Sequence, residues 1–230
     1  KLEAENAELK TQLLNRKNAD GQLKQLENIL DLAGTAGYKI LNAKVISHGS
    51  SQSFSQTITI DAGSNAGIKK NMTVLSQYGL AGLVKDVYPN SALIQLASDP
   101  AFKVGARIAG TQQIGILSGR GNRSASLQLL DNSTTVKVGD VLLARGSVAN
   151  FPFVPGVPLG YVSQVDNSAG AVAQTATIRY YTNFSTLGIV AVVVSGPKSN
   201  PGDSLVPRKP QVTPIPTVTV TVTPSPTANN

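Results

Sequence analysis

Apolar and polar positions follow two different periods along this chain. From Leu2 to Leu30 the leucines recur at spacings of three, four and seven, while from Tyr38 onward short Val/Ile/Leu/Thr runs alternate with Gly, Asn, Asp and Ser clusters. The first pattern predicts a helix over residues 1–37, the second a series of strands joined by turns.

In the helical segment, Leu2, Leu9 and Leu13 take d, d and a positions of a heptad. Leu23, Leu26 and Leu30 form a second a–d–a set, displaced by three residues, and Asn6 and Arg16 fall on seam positions. Such an offset overwinds a coiled coil locally. Gly34 and Gly37 supply the stop, since glycine readily takes the left-handed capping conformation. A lone helix with so narrow a seam needs a partner to cover it. The expectation is a coiled-coil dimerisation helix over residues 1–37, with those six leucines as contacts. Docking of the helix on its own domain is the alternative.

The strand-like runs are Ile40–Ile46, Gln56–Asp61, Met72–Ser76, Leu80–Val87, Ala92–Leu96 and Val104–Ala109, then Ile114–Ser118, Ser126–Leu130, Val141–Ala144, Leu159–Val165, Val172–Tyr180 and Leu187–Val194. Many short strands with regular turn signals predict small sandwiches or barrels. A weak internal repeat aligns residues 68–74 with 136–142 and residues 80–84 with 158–162. In each copy a basic turn delivers a strand, and a glycine sits inside the next strand, where barrels bend. This predicts two similar barrels: residues 38–110, in which strand 38–50 is free to pair with the second barrel, and residues 111–196. Residues 197–230 are set apart by eight of the thirteen prolines and six threonines, and predict an extended, disordered spacer. Val218-Thr219-Val220-Thr221-Val222 is an edge-strand alternative within it.

The ordered motifs resemble one bacterial family. Ile58-Thr59-Ile60-Asp61-Ala62-Gly63-Ser64-Asn65-Ala66-Gly67-Ile68-Lys69-Lys70-Asn71-Met72-Thr73-Val74 is similar to the signature of the rod shape-determining MreC family, and Gly79-Leu80-Ala81-Gly82-Leu83-Val84 fits its next strand. Ser98-Asp99-Pro100, Val104–Ile108, Gly115–Gly119, Val138–Val141 and Pro155–Gly160 follow in the family order. The resemblance implies two six-stranded β-barrels in a chymotrypsin-like arrangement without a catalytic triad. It also implies an extracytoplasmic scaffold of the elongation complex, anchored by an N-terminal membrane helix. The partners it implies are a second copy of the chain, a class B penicillin-binding transpeptidase and MreD, and no cofactor is implied. Two departures stand out: Asn71 replaces a frequent glycine, and the segment from Phe151 to Pro158 is longer than the common form.

Charge sharpens the division. Residues 1–34 hold five bases and six acids, residues 38–196 twelve bases and six acids, and the last 34 residues three bases and one acid. The scattered bases and few aromatics argue against nucleic acid. The same excess suits anionic lipid or wall polymers, a second functional reading. No apolar run approaches the roughly 20 residues of a membrane helix, and a chain opening at Lys1 in mid-pattern predicts a fragment that has lost its N-terminal anchor.

Candidate chemistry is sparse. There is no cysteine and a single histidine, His48, with Ser50, Ser51 and Ser53 nearby. No segment carries the turn chemistry of an exposed serine nucleophile, so a protease-like hydrolase is supported by architecture alone. The six acids of the middle, Asp61, Asp86, Asp99, Asp131, Asp140 and Asp166, sit mostly beside turns. Gly119-Arg120-Gly121-Asn122-Arg123 reads as a hairpin turn, not a phosphate loop, because Gly-Lys-Ser/Thr is missing. Phe151-Pro152-Phe153-Val154-Pro155 is the candidate partner-binding loop, with Phe151, Phe153 and Val154 as anchors. Its alternative role is to plug the end of the second barrel.

Overall fold

A computed structural model describes residues 2–49, 55–111, 113–121, 123–130, 136–166 and 174–207. One long helix, α1 (Leu2–Ala36), leads into β1 (Lys39–His48), β2 (Thr57–Ile60), β3 (Thr73–Ser76), β4 (Gly79–Val87), β5 (Ala92–Leu96) and β6 (Lys103–Ile108). Then come β7 (Ile114–Gly119), β8 (Ser124–Leu129), β9 (Val141–Ala144), β10 (Pro158–Asp166), β11 (Thr175–Tyr180) and β12 (Ile189–Ser195). The helix stops where the sequence predicts. Gly37 is left-handed at φ 71°, and Tyr38 N–H bonds to Ala33 O at 2.9 Å across the cap.

The strands close into two six-stranded barrels, in the orders β1-β12-β3-β4-β5-β2 and β10-β11-β8-β7-β6-β9. This corrects the boundary drawn from the sequence at residues 110 and 111. β6 belongs to the second barrel, and β12, the last strand, closes the first. The expected pairing of strand 38–50 with the second barrel is corrected too: β1 pairs with β12, which lies within 111–196, but also with β2, all inside the first barrel. The physical reason is that β12 carries Val190, Ala191, Val192 and Val193 buried, an apolar strand that only a barrel core can take, and β1 and β3 offer it the open place.

The internal repeat is a repeat of structure. Asn71 N–H bonds to Val84 O and Val84 N–H to Met72 O; in the second copy Gly139 N–H bonds to Val162 O and Val162 N–H to Asp140 O. Asn71 and Gly139 are both left-handed, at φ 65° and 94°. A Cβ on Gly82 or on Gly160 would strike the carbonyl of Gln95 or Arg179 on the neighbouring strand, which is why both copies keep glycine there.

The barrels share a continuous apolar core that runs from Ile29 of α1 to Leu205. Between them, Tyr180 Oη donates to Ala97 O at 2.6 Å, and Thr182 donates to Leu80 O at 2.8 Å while bonding Ser76 at 2.8 Å. Burial of Tyr38 and Tyr180 pushes both phenols well above their ordinary range.

The predicted disordered tail begins too early. Residues 197–207 pack on the second barrel: Asp203 meets Arg107 at 2.5 Å and accepts from Gly110 N–H at 2.8 Å, and Leu205 is buried. The rest of the tail, including Val218–Val222, lies outside the described residues.

Candidate functional site

Two apolar surfaces stand out, one on α1 and one on the loop between β9 and β10. The last turns of α1 lie against β12, β1 and β3. Ile29, Ala33 and Ala36 are buried there and Leu32 packs at the edge; Asn28 donates to Gln77 at 3.3 Å and Gln25 accepts from Ile189 N–H at 3.2 Å. Leu9, Leu13, Leu23 and Leu30 are all exposed, Leu9 by 58%. At 3.6 residues per turn Leu9 and Leu13 fall on the face opposite the docked one, and Leu23 and Leu30 on its flank. Leu26 is half-buried between the two faces, and the side chain of Leu2 is outside the described residues. Leu14, also exposed, lies off the heptad seam, so the leucine spacing did not single it out.

The second surface is the loop over residues 145–157. It leaves β9, reaches across to the first barrel and returns. Tyr38 Oη donates to Pro155 O at 2.6 Å, Thr73 Oγ1 donates to Pro152 O at 2.7 Å and accepts from Val154 N–H at 3.3 Å. Its tip is tightly wound: Ala149 and Asn150 are left-handed at φ 57° and 60°, and the Phe151-Pro152 peptide is cis.

These anchors divide the three residues singled out by the sequence. Val154 is buried, and Phe153 turns inward to meet Phe102 edge-on at 5.7 Å. Phe151 is half exposed, at 50%. With Met72, Val194 and the Ala149–Asn150 turn it lines a shallow cavity of about 270 Å³. The sequence reading missed Val148, which is 93% exposed at the loop tip. Its signal was available, an apolar residue directly after Gly146-Ser147 in a segment with no strand period.

The remaining candidates fall elsewhere. His48 is exposed at the end of β1, and Ser50, Ser51 and Ser53 lie outside the described residues. Asp61 accepts from Lys44 N–H at 2.7 Å, and Asp86 pairs with Lys70 at 3.3 Å. Asp140 caps its own turn through Lys137 N–H at 2.8 Å, as aspartate at turns ordinarily does. Asp99 is buried at the crossing from β5 to β6. Burial pushes its carboxyl upward, but the N–H groups of Ala101 and Gln56 and the side chains of Gln95 and Ser55 outweigh this and hold it below the usual carboxylate range. Among the described residues no group of three or more His, Cys, Asp or Glu converges in a way that could hold a metal.

Two closed barrels, bracketed by a loop and carrying a half-docked helix, define a stalked double-barrel protein with exposed apolar side chains along the helix and at the loop tip. The chain belongs to the MreC family: residues 45–194 match the barrel core of rod shape-determining protein MreC. It is 29% identical over 194 residues to the cell shape-determining protein MreC of Listeria monocytogenes, covering 82% of this chain and 64% of that protein, so it spans less than two thirds of the relative's length. The solved Listeria MreC structure superposes with a TM-score of 0.61 at 28% identity, covering 82% of this chain and 90% of that one. The MreC fold also recurs, at 15% identity and a TM-score of 0.54, in a complex of penicillin-binding protein PBP2 with MreC from Helicobacter pylori, covering 68% of this chain and 99% of that one.

Proposed function

We propose that this chain is a non-enzymatic, extracytoplasmic scaffold of the machinery that elongates the cell, held at the membrane by an N-terminal anchor. It dimerises through α1 and recruits a peptidoglycan-synthesis transpeptidase of the class B penicillin-binding group, working beside MreD. The observation that carries the reading is the two-faced helix: its own barrel covers Ile29, Ala33 and Ala36, and leaves the leucine seam open. A second copy presents the same seam, so one helix covers the other. The transpeptidase follows from the family and from the relative found with PBP2. Phe151 and Val148, on a loop held at both ends, supply a rigid apolar contact for it.

Light scattering tests the helix. The parent chain should have the mass of a dimer, and Leu9→Asp with Leu13→Asp that of a monomer with an unchanged melting temperature. A monomeric parent, or a dimeric variant, sinks the idea. For the loop, Phe151→Ala should weaken binding to the transpeptidase without shifting the melting curve; normal binding removes the loop from the contact.

A further inference from the structure

Part of the charge excess of the barrels is gathered in one place. In the first barrel Lys70 is paired with Asp86, and Asp61 is taken up by the backbone N–H of Lys44. In the second barrel three bases, Lys103, Arg120 and Arg179, lie on one outer face. Strand register sets Lys103, Ser118, Ser126 and Thr177 in one cross-strand row over β6, β7, β8 and β11. The next row holds Ser124 opposite Arg179, with Arg120 immediately beyond the last pair of the β7–β8 hairpin, Gly119 and Ala125. The alternation of buried and outward residues in these strands turns all of these side chains away from the core. Arg120 leans across the rows and donates to Ser126 Oγ at 3.2 Å. Among the described residues, Lys103, Arg120 and Arg179 have no acidic partner; the ion pairs there are Lys70–Asp86 and Arg107–Asp203. Asp99, beneath Gly119, is buried with its carboxylate taken up by Gln56, Ala101 and Gln95.

We infer that this face binds a linear polymer of repeating phosphate groups. Arg120 and Arg179 sit two strands apart, roughly 10 Å, a separation suited to successive charges along a polymer and not to one ion held between them. Guanidinium forks and hydroxyls together are the donors that phosphate oxygens take. The face offers little to the other acidic partners. A membrane surface needs apolar side chains to insert, and protein interfaces centre on an apolar or aromatic core. Here the positions between the bases are Ser and Thr.

The test uses the whole chain and linear inorganic polyphosphate, with affinity read by fluorescence anisotropy over a salt series. Arg120→Ser with Arg179→Ser should weaken binding about tenfold or more and lower the salt slope by about one per base removed. Lys69→Ser with Lys85→Ser removes two exposed first-barrel charges and should leave affinity within about twofold, as a distant pair contributes only a long-range field. Equal losses in both pairs would reduce the effect to net charge and overturn the site, as would no binding by the parent chain. Phosphatidylglycerol vesicles and polyglutamate test the source of the anion. Tighter binding to either than to polyphosphate would overturn the assignment to a linear phosphate polymer. Both pairs are exposed, so unchanged melting curves are expected and separate loss of binding from loss of fold.

Discussion

In the second barrel the strands β6 to β11 follow one another along the chain, whereas the first barrel takes β1 to β5 from before it and β12 from after it. Going round from β3 gives β4, β5, β2, β1 and β12; going round from β9 gives β10, β11, β8, β7 and β6. β12 therefore stands where β6 stands in the other barrel, and the first barrel is a permuted copy of the second. A further difference lies in the connections. β3 and β4 are joined by Gln77 and Tyr78 alone, while the matching strands β9 and β10 are joined by residues 145–157. The common part of the two copies is what a closed barrel requires: the left-handed turn, the glycine under a crossing carbonyl, the alternating core. The parts that differ are those that bind the barrels together or face outward, which is where a duplicated fold is free to acquire a role of its own.

The strongest way to break this comparison is to remove the borrowed strand. Val192→Asp puts an unpaired charge into a fully buried position, a loss of more than about 4 kcal/mol. Hydrogen exchange should then show β1–β5 unprotected and β6–β11 still protected. Simultaneous loss in both barrels would mean that they form one cooperative unit. The connecting loop gives the next effect. Phe153→Ala removes a ring packed on Phe102 and should cost about 3 kcal/mol by denaturant unfolding, against under about 1 kcal/mol for the half-exposed Phe151→Ala. Equal costs would unite two residues that the loop separates.

The equivalent turns give a finer test. Gly139→Ala introduces a Cβ at φ 94° and should cost about 1–2 kcal/mol, while Asn71→Gly at φ 65° should be neutral or stabilising by a few tenths. The smallest effect concerns residues 197–207, which have no counterpart in the first barrel. The hydrogen bond from Arg107, then that from Gly110 N–H, holds the Asp203 carboxyl below its ordinary range. Its contribution is present at neutral pH and is lost as pH falls below about 4. Solvent screening keeps it under about 1 kcal/mol. Asp203→Asn should speed proteolysis within 197–207 at neutral pH, a difference from the parent chain that should vanish in acid.

Much of this was legible in the sequence, and what was not has a common cause. Runs such as Ala92–Leu96 and Val141–Ala144 coincide with β5 and β9, because alternation and turn residues are local signals. The assignment of β12 was not legible: Val190 to Val193 declare a buried strand but carry nothing about which barrel buries it. The family motifs ran in order through both barrels and so could not mark a permuted boundary either. For the loop, Phe151 and Phe153 are chemically identical and two residues apart, and their opposite orientations depend on Thr73 and Tyr38 in the other barrel and just before it. The early anchoring of the tail rests on Asp203 finding Arg107, again a partner distant in sequence.

The permuted strand also sets an order of events in time. A chain that emerges from its N-terminus presents β1–β5 long before β12, so the first barrel begins as an open sheet with β1 and β3 as bare edges. Closing it joins Ile40 to Val193, a contact of high sequence separation and hence a slow one. The second barrel has no such wait, since its six strands are consecutive. Once formed, it holds Tyr180 and Thr182 on Ala97 and Leu80 of the first, and so brings the start of β12 within a few residues of its empty place. The search that remains is short. The lifetime of the exposed edges is then governed by how fast the neighbouring barrel folds, and slow folding of β6–β11 would appear as aggregation through β1 and β3.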